Sequence, residues 1–84
     1  MSAEVLVTGK TASINGPVNK MGPLRASAER ILGPAGIDYK VEMLRVFPRG
    51  DQGAGAAVLL ARCGTSTQAC VEGLLRQVGE AAGL

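Results

Sequence analysis

Two apolar segments joined by a glycine-rich run constrain this chain most. Ile37 to Phe47 (IDYKVEMLRVF) alternates, with Tyr39, Val41 and Met43 on one side and Lys40 and Glu42 on the other. That period of two is the signature of a strand with one buried face. The alternation softens from Leu44 to Phe47, where both faces turn partly apolar. Ala56 to Arg62 (AAVLLAR) is apolar on both faces, which marks a central strand. Between them lies Pro48-Arg49-Gly50-Asp51-Gln52-Gly53-Ala54-Gly55, built to turn sharply, so the two strands are expected to pair as an antiparallel hairpin.

A central strand needs neighbours and a covering layer, and the rest of the chain offers both. Glu4 to Thr8 (EVLVT) predicts another strand, ended by Gly9. Lys10 to Gly22 is polar and punctuated by Asn15-Gly16-Pro17, which suggests a long connection with one helical turn after Pro17. A helix is expected from Pro23, with Met21, Leu24, Ala28, Ile31 and Leu32 as its apolar stripe and Gly33-Pro34 as its stop. The last helix starts near Ser66 or Thr67, either able to cap it, and runs to about Ala82. Its apolar face holds Cys70, Val71, Leu74, Leu75, Val78, Ala81 and Ala82.

The expected order is β-α-β-β-α, a single α+β domain spanning residues 1–84. A right-handed crossover makes the first two strands parallel, giving a three-stranded mixed sheet with both helices on one face. The other face then carries Leu6, Leu44, Val46, Val58 and Leu60 as a candidate interface, because two helices on one side cannot cover both faces.

Composition limits the chemistry. The 84 residues include no histidine, which removes the commonest acid–base group and metal ligand at neutral pH. Aromatic residues are down to Tyr39 and Phe47, so the core must be aliphatic and no base-stacking platform exists. Cores of this size gain from burying a second surface, so a homodimer or a protein partner is expected. A net charge of +2 with interspersed acids is weak support for RNA as a partner. No segment has the length of a membrane span or the design of a signal peptide, so a cytoplasmic location is the default and no membrane partner is expected.

From Arg25 to Ala61 the chain resembles the small inserted domain of RNA 3'-terminal phosphate cyclases. The residues that carry the resemblance are ASAERILGPAGIDYKVEMLRV, the run GDQGAGAAVLLAR and VGEAA at Val78 to Ala82. In that family a helix ending in a glycine turn leads to a charged strand, a Gly-rich turn, an apolar strand and a final helix. The resemblance implies that fold and a docking role toward protein or nucleic acid. It does not imply catalysis, because the cyclases use a histidine that accepts AMP, placed in a larger domain this sequence lacks.

The candidate anion loop is Arg49, Gly50, Gln52, Gly53 and Gly55, where successive glycines let backbone N–H groups converge and Arg49 adds charge. A hairpin of this length also needs glycines simply for positive φ angles. No GxGxxG opens a helix and no GxxxxGK[ST] occurs. Gly33-Pro34-Ala35-Gly36 fits a GxxG pattern, but a strand follows, which favours helix termination. Gly64-Thr65-Ser66-Thr67 is explained by capping. Cys63 and Cys70 form no CxxC, and Cys70 on the apolar stripe is expected to be buried. No catalytic residue, metal site or cofactor is implied. The leading expectation is a non-catalytic binding or assembly module acting as a homo-oligomer or subunit and able to take an anionic ligand or RNA. The alternative is a small enzyme whose site is completed at a subunit interface.

Overall fold

A computed structural model describes residues 4–46 and 54–84. Its elements are β1 (Val5–Thr8), β2 (Thr11–Pro17), one 3-10 turn (Val18–Lys20), α1 (Met21–Ile31), β3 (Tyr39–Val46), β4 (Ala54–Arg62) and α2 (Gln68–Ala81). The sheet has four strands in the order β1-β2-β4-β3, and every neighbouring pair is antiparallel.

The expected three-stranded mixed sheet is therefore corrected. The connection assigned to Lys10–Gly22 contains β2, which pairs with β1 through Thr8↔Thr11 and Leu6↔Ser13. Gly9 (φ 59) and Lys10 form a two-residue loop between them. A glycine with positive φ at the first central position, followed by a residue with negative φ, is the signature of a type II′ hairpin turn. The strand that crosses over to β3 is β2, not β1. Strands β2 and β3 run parallel with β4 inserted between them, a split β-α-β unit.

Inward-facing positions follow the pleat. Ala12 and Ile14 on β2 and Ala57, Leu59 and Ala61 on β4 are buried, with Val5, Val7, Tyr39 and Val41 half-buried around them. All pack with Leu24, Ala28 and Leu32 of the α1 region and with Val71, Leu75, Val78 and Ala82 of the α2 region. Both helices thus cover one face, as the sequence suggests. The core is aliphatic, and its largest fully buried side chains are leucines, valines and Ile14.

Helix α1 begins at Met21, two residues before Pro23. The first turn of a helix has no intrahelical acceptor for its N–H groups, so a proline at the third position removes no bond. At the other end the Leu32 and Gly33 N–H groups both donate to the Ala28 carbonyl, and Pro34 ends the helix. A Cβ on Gly33 would meet the Glu29 carbonyl oxygen at 2.6 Å, so glycine permits this tight exit. Helix α2 is capped by Thr67, whose hydroxyl accepts from the Cys70 N–H at 3.2 Å. Such caps contribute about 1 kcal/mol. The helix surface adds an exposed pair, Arg76 to Glu72, at 2.8 Å.

Cys70 is exposed and Cys63 is buried, which reverses the expectation for Cys70. The buried stripe of α2 runs Val71, Leu75, Val78, and this rotation leaves Cys70 outside it. Cys63 follows β4, where its N–H donates to the Lys10 carbonyl at 2.8 Å and its side chain joins the core. Iodoacetamide on the native protein is expected to modify Cys70 and spare Cys63 until urea is added. Peptide mass mapping reads this directly, and native-state labelling of Cys63 would contradict it.

Candidate functional site

Two surfaces stand apart from the core: the sheet face opposite the helices and a cavity at one sheet end. The face is set by register. Leu6 on β1 lies beside Ser13 on β2, which lies beside Leu60 on β4, which lies beside Lys40 on β3. The next row holds Asn15, Val58 and Glu42, and the row after it Pro17, Ala56 and Leu44. All of these alternate with residues packed under the helices.

Of the five residues expected on this face, Leu6, Leu44, Val58 and Leu60 are there. Leu6 is 65% exposed and Leu44 51%, two of the large apolar side chains most open to water among the described residues. Leu60 is half-buried, and Val58 is buried at 6% exposure between its cross-strand neighbours Asn15 and Glu42. Val46 pairs with Ala54 through the backbone ladder, and its side chain lies outside the described residues. The face is mixed: its centre is apolar, while Lys40 and Glu42 on β3 form an exposed ion pair at 3.2 Å.

Arg49, Gly50, Gln52 and Gly53 of the candidate anion loop also lie outside the described residues. Gly55 does not belong to a loop, because β4 begins at Ala54 and Gly55 is paired with Arg45. A Cβ at Gly55 would sit 3.2 Å from the Val18 Cβ. Close approach of the 3-10 turn thus accounts for a glycine here.

The cavity lies at the other end of β4. It measures about 440 Å³ and is lined by Lys10, Thr11, Gly36 to Asp38 and Arg62 to Ser66. Three connections meet there: the β1–β2 turn, the α1–β3 loop and the β4–α2 loop. Backbone bonds tie them together, with the Arg62 N–H donating to the Asp38 carbonyl at 2.9 Å and the Ser66 N–H to the Cys63 carbonyl at 2.8 Å. The Gln68 side-chain amide also donates to the Gly9 carbonyl. A second hollow of about 450 Å³ shares Thr11, Asp38 and Arg62 with the first and opens past Lys40 and Leu60 onto the sheet face. Lys10 and Arg62 are the cations of the first cavity and Asp38 its carboxylate, and Lys40 joins Arg62 and Asp38 at the second, so the sheet end is polar with opposed charges. The convergence of Arg62 with Lys10 depends on the β1–β2 hairpin, which lies within the expected long connection Lys10 to Gly22.

Fold and surfaces together define a small two-layer α+β domain with one sheet face left open by its helices. No protein-family model matches the chain, and no curated protein or solved structure matches it. Among the described residues no helix is long and apolar enough to cross a membrane. No group of three or more His, Cys, Asp or Glu that could hold a metal ion occurs among them either.

Proposed function

We propose that this chain is a non-catalytic assembly module whose open sheet face is covered by a second copy of itself. The observation that carries the reading is the exposure of Leu6 and Leu44 on the same face as Leu60 and Val58. Apolar side chains grouped on one uncovered sheet face cost solvation free energy that a partner surface recovers.

The size of the face fits that occupant. Its strands contain 4, 7, 8 and 9 residues. At about 3.3 Å per residue and about 4.8 Å between strands, the face projects to roughly 450 Å². Its accessible surface exceeds the projection because side chains stand up from it. Full coverage therefore lies between about 450 Å² and the roughly 800 Å² per partner of a standard interface, the lower end of the range for specific contacts. Two such sheets pack about 10 Å apart, and a two-fold axis makes each copy present the same patch to the other.

The element order α1-β3-β4-α2 is the one that the resemblance to the cyclase insert implies, and that resemblance carries no catalytic residue over to this chain. Sedimentation equilibrium over a concentration series tests the proposal. The expected result is a mass of at least twice the 8.6 kDa of one chain at micromolar concentration. A single-chain mass throughout would overturn it.

A further inference from the structure

We infer that the free edge of β3 pairs with β3 of another copy, antiparallel and with Val41 opposite Val41, to make a continuous eight-stranded sheet. This contact lies on a different surface from the open face and goes beyond the assembly proposed above.

The geometry follows from the ladder. The Arg62 N–H donates to the Asp38 carbonyl, which makes Asp38 and Arg62 a hydrogen-bonded pair one step beyond Tyr39↔Ala61. Hydrogen-bonded and non-hydrogen-bonded pairs alternate along an antiparallel ladder. Lys40, Glu42 and Leu44 therefore direct their backbone groups toward β4. Tyr39, Val41 and Met43 direct theirs to the open edge. The same alternation on the other side of β4 fits the bond from the Cys63 N–H to the Lys10 carbonyl. Strand β3 is eight residues long and, among the described residues, its outer side has no neighbour in the sheet, while β1 at the opposite edge has four residues.

The side chains select a second copy as the occupant. Only odd-numbered residues can form hydrogen-bonded pairs across this edge, so the register can shift only in steps of two residues. With Val41 opposite Val41, Lys40 of each copy stands directly across from Glu42 of the other, at the closer, non-hydrogen-bonded positions. Tyr39 then faces Met43 on the helix side. Met43 is 42% exposed although it lies on the face that the helices cover, which leaves it room for such a neighbour. A shift one way sets Glu42 against Glu42, and a shift the other way sets Lys40 against Lys40. Like charges directly opposite are destabilising. Lysine on a free edge ordinarily blocks pairing. Here the carboxylate two residues on, already within 3.2 Å of the Lys40 ammonium, turns that block into a register code.

Edge pairing about a two-fold axis perpendicular to the sheet keeps the helices of both copies on one side. It also joins two open faces into one of twice the area. Where the two-fold axes of the edge and face contacts meet at right angles, the two together close a four-chain assembly with dihedral symmetry.

Charge exchange tests the edge contact. Lys40→Glu and Glu42→Lys are each expected to raise the edge dissociation constant roughly tenfold to hundredfold, read by sedimentation equilibrium. The double variant Lys40→Glu/Glu42→Lys is expected to recover wild-type assembly. An equimolar mixture of the two single variants should recover it as mixed species in native mass spectrometry. That mixture repairs only the contact between chains, since each chain keeps its internal like-charge pair. Circular dichroism and urea transitions check that each variant folds. Single variants that assemble like the wild type overturn the edge contact, as does failure of both the double variant and the mixture to recover. These variants leave Leu6 and Leu44 intact, so loss of the edge alone leaves face-paired dimers. A wild type that stays monomeric overturns both contacts.

Discussion

Leu59→Ala is expected to destabilise the fold by roughly 3–4 kcal/mol, the middle of the range for a buried leucine truncated in a close-packed core. Leu59 is fully buried on the central strand β4, in register with Ile14 on β2 and Val41 on β3. Its side chain belongs to the cluster that joins the sheet to Leu24, Leu75 and Val78. Removing it leaves a cavity bounded by strands on both sides and helices above, with little freedom to collapse. For a domain of this size that loss corresponds to a fall in Tm of roughly 12–30 °C. It is a large share of the total stability, on the order of 4–13 kcal/mol for 84 residues. Leu60→Ala is the control one residue along. That side chain lies on the open face and is half-buried, so the single-chain cost is expected to be about 1 kcal/mol or less. Urea unfolding at low protein concentration compares the two. Equal losses would contradict the assignment of faces.

The second large effect falls on assembly rather than folding. The double variant Leu6→Lys/Leu44→Lys is expected to weaken the face contact by a factor of roughly a hundred or more. Each leucine contributes about 1.5–3 kcal/mol when fully covered, and two-fold symmetry removes every contact twice. The introduced ammonium groups would also have to be desolvated. Because Leu6 is 65% and Leu44 51% exposed in the single chain, the far-UV circular dichroism and urea midpoint of the separated chain should stay close to wild type. Retained assembly in this variant would place the contact elsewhere. Loss of folded signal would show that these leucines support the monomer.

The parts of the fold that were legible in the sequence are those with strong patterns. The alternation of Tyr39, Val41 and Met43, the doubly apolar β4 and the α1 stripe appear where expected, and the α2 stripe does so through Val71, Leu74, Leu75, Val78 and Ala82 but not through Cys70 and Ala81, which are exposed. The order from α1 through α2 followed from them. Strand β2 was illegible for a physical reason. Its sequence, TASINGP, buries only Ala12 and Ile14, and small polar residues with Gly16 and Pro17 give it the composition of a loop. The usable signal was local: Gly9-Lys10 between VLVT and TASIN has the length and the leading glycine of a type II′ hairpin. Recognising that turn would have supplied the fourth strand, reversed the relation of β1 to β3 and brought Lys10 beside Arg62.

The open face was legible because parity along a strand fixes which residues share a side. Leu6, Leu44, Val58 and Leu60 share a side by that parity whether or not β2 is in the sheet. Their burial was not legible. Val58 is covered by neighbours on β2 and β3, and the β2 neighbour belongs to the strand that was missed. The cavity was not legible either, since it joins three connections that are far apart in the chain. Cys70 shows how fine such margins are: at about 100° per residue, a small rotation of α2 moves a side chain from the stripe to water.

The central claim is that one copy of this domain does not leave its sheet face open to water. Light scattering coupled to size-exclusion chromatography on the wild-type chain tests it most directly, from about 1 µM to about 500 µM, a span that reaches weak contacts as well as tight ones. The account predicts a mass that rises to twice 8.6 kDa or more and falls when Leu6 and Leu44 are replaced by lysine. A mass of 8.6 kDa at every concentration would contradict it.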